Sequence, residues 1–315
     1  MIDIIIPNWN GSKYLKGCLD SIRNQTYGSY RVTLVDNGST DDSVPLVRDS
    51  YPEVNILALG VNTGFAGGVN AGIRNTASDL VFLLNNDTVL DRNCLDELSR
   101  AAQRHHQVSF FATKMLFQDD SGIINAAGDS FGIDGQGRNI GIREPDDGRY
   151  DEVTQVFGAC AGAALYRRSF FQDVGLFDEE FFLIHEDVDL DFRAQIRGHQ
   201  CYYIPTAIIH HLHSASIGRN NSLQTFHNAR NSLFVLAKNM PASLLVKYFW
   251  RILRNRQQLL GDSIIFGQAR AWIKGETGYS LRTIQTALRR FKIQLHRRVT
   301  TREINAILVD PDPKG

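Results

Sequence analysis

The sequence predicts an α/β protein with a mainly parallel central sheet, followed by a region made only of helices. The first observation is that short apolar segments alternate with segments of helical periodicity through residues 1–107. Such unbroken apolar segments are typical of strands that are buried on both faces of a parallel sheet. The second observation is the composition, 43% hydrophobic and 22% charged over 315 residues, which is typical of a folded globular protein.

Each element has its own local signal. Ser12 precedes a stripe with i, i+3, i+4, i+7 spacing, which predicts a helix: Leu15, Cys18, Leu19 and Ile22. Further helices are expected over residues 44–47, 68–76, 91–105 and 186–197, and beyond residue 225. Strands are expected over residues 2–6, 32–35, 54–59, 80–84, 108–112 and 201–204. The Gly- and Asp-rich residues 118–150 predict a long loop or irregular hairpin over a cleft.

Charge is distributed unevenly along the chain, although the total is zero. Residues 1–237 hold 19 Lys and Arg against 29 Asp and Glu, whereas residues 238–302 hold 14 against two. Segments 244–260 and 286–299 combine bulky apolar residues with Lys and Arg, a pattern typical of helices that lie on anionic membrane surfaces. Packing against the rest of the chain, or against a second copy in a homodimer, is an equally open interpretation.

The sequence disfavours several partners and locations. No apolar run reaches the roughly 18 residues of a membrane-spanning helix, and the N-terminus lacks the features of a signal peptide. Four widely spaced cysteines form no CxxC pair and no metal-ligand pattern, so we expect a cytoplasmic, reduced protein. The basic part has no zinc-finger or RNA-recognition signature, so we expect no nucleic-acid partner.

Polar side chains follow three of the predicted strands at the point where each strand ends. Pro7 and Asn8 end the first strand, Asp36 ends the second, and Asn86 and Asp87 follow the fourth. Ligands of open parallel sheets bind at the carboxyl ends of the strands. One such group alone would more often be a turn or a helix cap. Three groups on the same edge predict a binding site.

A glycine-rich segment, residues 62–72, opens the helix after the third strand. Backbone N–H groups at a helix start can receive a phosphate or let a nucleotide approach closely. The segment is no dinucleotide fingerprint, because it follows the third strand and its spacing differs. Close helix packing is the competing interpretation.

Asp87 and a run of histidines predict a metal site. A carboxylate beside two amides at the end of an apolar strand suits a hard divalent cation that also binds diphosphate oxygens. His210, His211 and His213 follow a predicted strand, and imidazoles combine with carboxylates around transition metals. We expect at least one of them to face the cleft.

Seven carboxylates lie within residues 178–191, which is costly unless they are paired or bound. Glu186 and Asp187 fall at a helix N-terminus, where the helix dipole favours the ionised carboxylate that a general base requires. Asp191 is expected to form a salt bridge with Arg193. Asp189 is either a solvated position on the helix surface or part of the site.

Taken together, these motifs resemble those of a family 2 glycosyltransferase with the GT-A fold, and in particular its bacterial rhamnosyltransferase-like branch. The matching segments lie in order between residues 2 and 216: IIIPNWNG, VDNGSTDDS, NTGFAGGVNAG, LLNNDT, VGLFDEEFFLIHEDVDLDFR and HHLHSAS. In LLNNDT, the family's usual DXD motif keeps only its last acidic position.

The resemblance implies a role for each candidate residue. Asp36 would contact the nucleobase or ribose, and the rest of the donor pocket would come from Pro7, Asn8, Asn62, Gly64, Gly67, Asn70 and Asn86. Asp87 would be the carboxylate ligand of Mg²⁺ or Mn²⁺. His211, five residues before Ser216, would be the second ligand, with His210 as the fallback. Glu186 and Asp187 match the family's acidic pair, with Asp187 as the catalytic base.

The resemblance also implies the organisation and the reaction. Residues 1–225 would form a GT-A catalytic domain, with a nucleotide-sugar half over 1–107 and an acceptor half over 108–225, and residues 226–315 a basic helical region. The enzyme would be an inverting transferase with a dTDP- or UDP-linked donor, rhamnose being favoured over galactofuranose, glucose or N-acetylglucosamine. Its acceptor would be a glycan or a polyprenyl-diphosphate-linked glycan at the inner face of the plasma membrane. A non-catalytic sugar-nucleotide-binding assembly protein is the alternative.

Overall fold

The structure is a computed structural model that describes residues 1–212, 221–280 and 283–311. Its strands are β1 (Ile2–Asn8), β2 (Tyr30–Asp36), β3 (Asn55–Ala58), β4 (Leu80–Leu84), β5 (Thr88–Leu90), β6 (Phe110–Phe117), β7 (Asp120–Ala127), β8 (Asp129–Phe131), β9 (Gly137–Asn139), β10 (Thr154–Val156), β11 (Ala163–Arg167) and β12 (Cys201–His211). Its helices are α1 (Ser12–Arg23), α2 (Ser43–Ser50), α3 (Gly64–Arg74), α4 (Cys94–Arg104), α5 (Arg168–Val174), α6 (Glu186–Ile196), α7 (Ser222–Asn239), α8 (Ala242–Lys247), α9 (Phe249–Ile265), α10 (Ala269–Ser280), α11 (Thr283–Leu295) and α12 (Thr301–Ile307).

One large sheet organises the front of the molecule, with strand order β10-β12-β6-β11-β4-β1-β2-β3. Strands β3, β2, β1 and β4 pair in parallel. Beyond them β11 runs antiparallel between β4 and β6, and β12 pairs in parallel with β6. The predicted α/β fold with a mainly parallel sheet is therefore confirmed. The carboxyl ends of β1, β2, β4 and β12 lie along one edge.

Alternating side chains of the central strands supply two apolar layers, one on each face of the sheet. Ile4 and Ile6 belong to one cluster and Ile5 to the other, as the two-residue period of a strand requires. The predicted stripe of α1 packs into the first layer, and all four of its members are buried: Leu15, Cys18, Leu19 and Ile22. The buried strands thus have the double cover that their unbroken apolar sequence indicates.

The second half of the sheet is more extensive than predicted. Strand β12 continues to His211 rather than ending at residue 204, and its pairing with β6 is irregular between Ile204 and Ile208. Pro205 lies in that irregular stretch and has no N–H to donate to the ladder. Of the two structures expected for residues 118–150, a long loop or an irregular hairpin, the structure shows the second: β7 pairs irregularly with β6, and β8 and β9 form a hairpin.

The helices after residue 225 share a core with the sheet domain. A third apolar cluster joins Phe181 and Phe192 from the front of the chain with Phe234, Met240 and Ile304 from the rear. The expected boundary at residue 225 is therefore crossed by continuous side-chain packing.

In the part of the chain that the structure describes, no helix has both the length and the apolar composition to cross a bilayer.

Ion pairs join the acidic segment 178–191 to the basic helices. Lys238 of α7 is 3% exposed at its side chain, and its Nζ lies 2.5 Å from Asp178 Oδ2 and 2.8 Å from Asp189 Oδ1. Arg289 of α11 also contacts Asp178, at 2.9 Å. The negative charges of the acidic segment and the positive charges of the helical region therefore neutralise each other at this contact.

The expected salt bridge between Asp191 and Arg193 is wrong. Arg193 Nε pairs instead with Asp189 Oδ2 at 2.9 Å. Residues two apart on a helix do not face each other, whereas residues four apart do. Asp189 is fully buried in this network and is not a solvated surface position.

Replacing Lys238 should destabilise the fold strongly. Burial acts to raise the pKa of Asp189, but the charges of Lys238 and Arg193 outweigh it and lower the pKa to about 2. Lys238→Ala removes one partner of a buried ion pair, which typically costs about 3–5 kcal/mol of unfolding free energy. The exposed Lys292→Ala is the matched control, and we expect a loss within about 0.5 kcal/mol.

The unfolding free energy lost in Lys238→Ala should decrease as the pH falls. A carboxylate with a lowered folded-state pKa stabilises the fold above its unfolded-state pKa, and this contribution disappears as the pH falls towards 2. The difference in unfolding free energy between wild type and Lys238→Ala, measured by urea unfolding, should therefore decrease from pH 7 to pH 3. A gap that stays constant over this range would contradict the assignment.

Candidate functional site

A cleft of about 640 Å³ opens at the carboxyl edge of the parallel strands. Its volume is in the range of small-molecule and cofactor sites. It is lined by residues from strand ends, from the β7–β9 region and from the loop before α6: Pro7, Asn8, Trp9, Asn37, Asn62, Gly64, Phe65, Asn85, Asn86, Asp87, Asn125, Asn139, Cys160, Phe182, Leu183, Ile184, His211, Leu223 and Gln224.

Asp87 and His211 meet in this cleft. Asp87 follows β4 and His211 ends β12, and His211 Nε2 lies 3.3 Å from Asp87 Oδ1. The contact is held by pairing of His211 with Thr88 and by the Leu212 N–H, which donates to the Asp87 carbonyl at 3.0 Å. His211 Nδ1 lies 3.1 Å from Asn125 Oδ1. With Nδ1–H donating to Asn125, the other ring nitrogen is oriented towards Asp87.

The neighbouring histidine faces the other way, because successive side chains of a strand alternate. His210 Nε2 lies 3.0 Å from Asp91 Oδ1, and His210 is not among the residues that line the cleft. The structure thus places His211, rather than His210, beside Asp87. His213 and Ser216 lie outside the described residues.

The residues present fit a divalent cation that arrives with a diphosphate. Among residues 1–212, 221–280 and 283–311 there is no group of three or more His, Cys, Asp or Glu arranged to hold a metal ion. One carboxylate and one imidazole at 3.3 Å can supply only part of a coordination shell. Mg²⁺ characteristically takes one or two carboxylates and completes its shell with substrate phosphates and water.

A network of amides ties the ends of three strands together. Asn86 Nδ2 donates to Asn8 Oδ1 at 2.6 Å, and Asn8 Nδ2 donates to Ser39 Oγ at 3.2 Å. Asn37 Nδ2 donates to Asn62 Oδ1 at 3.2 Å and to the Gly64 carbonyl at 2.9 Å. These bonds hold the polar groups of the cleft in place before any ligand binds, which reduces the cost of ordering them.

The structure places three candidate donor-pocket residues away from the cleft lining. Asp36 is nearly buried, and its carboxylate accepts the Ser39 N–H at 3.3 Å. Asn70 is buried and its amide donates to the Phe177 carbonyl at 2.9 Å. Gly67 lies inside α3, against the side chain of Thr63. Asn70 therefore fastens α3 to the segment that leads to α6.

The loop before α6 forms one wall of the cleft and has an unusual backbone. Phe182, Ile184 and His185 have φ values of +64°, +67° and +67°. Non-glycine residues in this region cost about 1–3 kcal/mol each and persist only where surrounding contacts impose them. No periodicity or motif in the sequence predicts this conformation.

Helix α7 imposes that backbone. Asn231 is fully buried, and its Nδ2 donates to the carbonyls of Phe181, Leu183 and Ile184 at 3.0, 2.8 and 2.7 Å. Arg230 Nη2 donates to the Phe181 carbonyl at 3.0 Å. The sequence carries no clear signal for these contacts, because Arg230 and Asn231 stand among the other polar residues in the first half of α7.

The two acidic residues that open α6 have different surroundings. Glu186 is buried, its Oε2 has no hydrogen-bond partner among the described groups, and burial together with the Asp187 charge raises its pKa well above the usual range. Desolvation therefore acts against the helix dipole at Glu186. Asp187 is half-buried, and its Oδ2 accepts the Ala161 N–H at 3.4 Å, next to Cys160 of the cleft lining.

Two further carboxylates lie behind Asp187. Burial, followed by the Asp187 charge, raises the pKa of Asp129, and burial, Asp129 and Asp187 raise the pKa of Asp191. Among the acids of this cluster, Asp187 is the one that is not buried. It is therefore the member best placed to meet a substrate.

The sheet and the cleft at its carboxyl edge have the architecture of the GT-A fold. The model of the family "Glycosyl transferase family 2" matches residues 3–175, more than half of the chain, and the protein belongs to this family. It is similar to the family's rhamnosyltransferase-like branch. An N-acetylglucosaminyl-diphospho-decaprenol L-rhamnosyltransferase of Mycobacterium tuberculosis is 26% identical over 260 residues, which cover 75% of this chain and 84% of that protein.

Solved structures show the same fold. A mannosyltransferase of Pyrobaculum calidifontis, in complex with GDP-Man and Mn²⁺, matches with a TM-score of 0.56 and 16% identity over 93% of this chain and 84% of its own. GalNAc-T7, with UDP, GalNAc and Mn²⁺, matches with a TM-score of 0.65 and 14% identity over 90% of this chain and 57% of its own. At these identities the likeness concerns the fold.

Gly64 should be far more sensitive to substitution than Gly60. Both glycines have φ of +76°, but a Cβ at Gly64 would lie 2.6 Å from Phe182 Cδ2, whereas a Cβ at Gly60 would meet nothing within 4 Å. Gly60→Ala should cost about 1–2 kcal/mol of unfolding free energy from backbone strain alone. Gly64→Ala should cost about 1–3 kcal/mol more, because it also overpacks the cleft wall. Denaturant unfolding measures both, and equal losses would show that the contact with Phe182 is unimportant.

Proposed function

We propose that this protein is an inverting rhamnosyltransferase that uses dTDP-rhamnose and a polyprenyl-diphosphate-linked glycan, at the inner face of the plasma membrane, in surface polysaccharide synthesis. The observation that carries the proposal is the Asp87–His211 pair, 3.3 Å apart, in a cleft lined by four amide side chains at the ends of β1, β2 and β4. The rhamnosyltransferase activity for which the mycobacterial relative is named supports the choice of sugar and acceptor.

The donor would lie along the carboxyl edge of the parallel strands. Asn8, Asn62 and Asn86 line the cleft. Asp36 ends β2 behind this lining and would contact the nucleoside. Asp87 and His211 would hold Mn²⁺ or Mg²⁺ together with the donor diphosphate. When bound, such an ion supplies charge stabilisation to the departing nucleoside diphosphate.

Asp187 would act as the general base. Its carboxylate takes the proton of an acceptor hydroxyl, and the oxygen of that hydroxyl forms a bond to the anomeric carbon. The bond between this carbon and the diphosphate breaks on the opposite face, and its electron pair leaves with the nucleoside diphosphate. Burial raises the pKa of Glu186, which favours its neutral form and would limit the negative charge next to the base.

Asp187→Asn should abolish turnover while leaving the donor bound. Loss of a general base typically costs about 10²–10⁴-fold in rate. We expect kcat to fall by that factor with an unchanged donor dissociation constant, measured by transfer assay and by titration calorimetry. Asp79→Asn, an exposed carboxylate of the same chain, is the matched control and should keep wild-type turnover. Near-normal kcat for Asp187→Asn would rule out the assignment.

A thermal-shift screen of nucleotide sugars with and without Mn²⁺ tests the donor and the metal together. A ligand present at 100 times its dissociation constant stabilises the folded state by about 2.7 kcal/mol. We expect a shift for dTDP-rhamnose that needs Mn²⁺ and is lost in Asp87→Asn, whereas Asp79→Asn keeps it. A shift for a UDP-sugar instead would transfer the proposal to galactofuranose, glucose or N-acetylglucosamine. A shift without any transfer would favour a non-catalytic sugar-nucleotide-binding protein.

A further inference from the structure

The outward face of α11 is apolar. Ile284, Leu288, Phe291 and Leu295 follow one another at intervals of four, three and four residues, which places them on one side of the helix. They are 78%, 62%, 68% and 67% exposed. A helix on the surface of a globular protein normally turns such a stripe towards the core.

The opposite side of α11 packs against the rest of the protein, so the apolar stripe cannot turn towards the core. Arg290 Nη1 donates to the carbonyls of Ala237 and Met240, both at 2.8 Å. Gln294 Nε2 donates to the Asn239 carbonyl at 2.7 Å, and Ile293 packs against the third apolar cluster. These contacts set the rotation of the helix and leave the apolar stripe facing outwards.

Helix α9 also exposes apolar side chains. Arg256 and Ser263 of this helix are buried, and Arg256 contacts Glu276 of α10 and donates to the Ala229 carbonyl at 3.0 Å. Trp250, Leu253 and Ile264 are exposed. Two helices thus present several apolar side chains to their surroundings, whereas exposed apolar residues are normally scattered singly.

The charges around these stripes are positive. Residues 238–302 contain only Asp262 and Glu276 as acids, and Glu276 is paired with Arg256. Arg254, Lys274 and Lys292 are exposed beside the apolar residues. A second copy of the same surface would bring like charges together, whereas an anionic lipid surface complements both the cations and the apolar side chains.

The apolar surface reaches the mouth of the cleft. Ser222 Oγ donates to Gln268 Oε1 at 2.6 Å, which ties the start of α7 to the turn after α9, where Ile265 and Phe266 are exposed. Leu223, the next residue of α7, is half exposed and lines the cleft. A partner that binds this apolar surface would therefore lie beside the entrance of the cleft.

We infer that the outward faces of α9 and α11 form a docking surface for an anionic lipid bilayer, with Trp250, Leu253, Leu288 and Phe291 entering the headgroup region. Docking on this surface holds the cleft mouth at the level where the diphosphate of a lipid-linked acceptor lies. This second statement rests on the proposed function, whereas bilayer docking itself does not.

Co-sedimentation of the full chain with vesicles tests the surface. The vesicles contain equal parts of phosphatidylglycerol and phosphatidylcholine, with pure phosphatidylcholine vesicles as the neutral comparison. We expect wild type to pellet with the anionic vesicles, and Leu288→Ser combined with Phe291→Ser to lower the partition coefficient about tenfold or more. The matched control combines Ile142→Ser with Val153→Ser, two exposed apolar residues outside the helical region, and should keep wild-type partitioning.

The outcomes are mutually exclusive. No pelleting of wild type, or equal pelleting of the two double variants, would overturn bilayer docking. A wild-type dimer in sedimentation velocity that Leu288→Ser/Phe291→Ser converts to monomer, without vesicle binding, would assign the surface to a second copy. Thermal unfolding of both variants within about 1 °C of wild type shows that the exposed substitutions leave the fold intact.

The same samples separate this inference from the proposed function. The dTDP-rhamnose thermal shift is measured in solution without lipid and should be the same in wild type and in Leu288→Ser/Phe291→Ser. Vesicle binding without any nucleotide-sugar shift would leave the docking surface standing and reject the proposed transferase. A nucleotide-sugar shift without vesicle binding would support the proposed transferase and reject the docking surface.

Discussion

The buried contact of Lys238 with Asp178 and Asp189 is the interaction on which the rest of the site depends. The acidic segment 178–191 would repel itself if its carboxylates were brought together without cations. Lys238 and Arg289 lie 47 residues or more beyond the end of this segment, and their charges neutralise it. With that charge compensated, α6 can start directly after the cleft wall, with Asp187 next to Cys160 of the lining.

The same helix that supplies Lys238 also determines the backbone of the cleft wall. Asn231 lies two turns before Lys238 on α7 and binds three carbonyls of the loop that precedes α6. Left-handed conformations at Phe182, Ile184 and His185 are costly, and a buried amide that satisfies several carbonyls at once repays the cost. The helical region is therefore part of the construction of the site, whatever else its outer face contacts.

The acids of the site are differentiated by their surroundings rather than by their type. Glu186, Asp129 and Asp191 are buried, which raises the pKa of each, while Asp187 stays half-buried near Cys160. Neighbouring carboxylates whose environments differ in this way can take different roles in one reaction. On the cleft lining, Asp87 has His211 rather than another acid as its neighbour.

The sequence by itself determined the parallel half of the sheet, the inward stripe of α1 and the edge at which Asn8, Asn86 and Asp87 gather. These features follow from local periodicity and chain direction, which are readable over a few residues. Only the tertiary structure decided that His211 lies beside Asp87, that Asn125 orients it from 86 residues away, and that Asp189 belongs to Lys238. The physical reason is that strand register, burial and ion pairing are set by contacts between distant segments. No local pattern of residues records which partner each polar group will find.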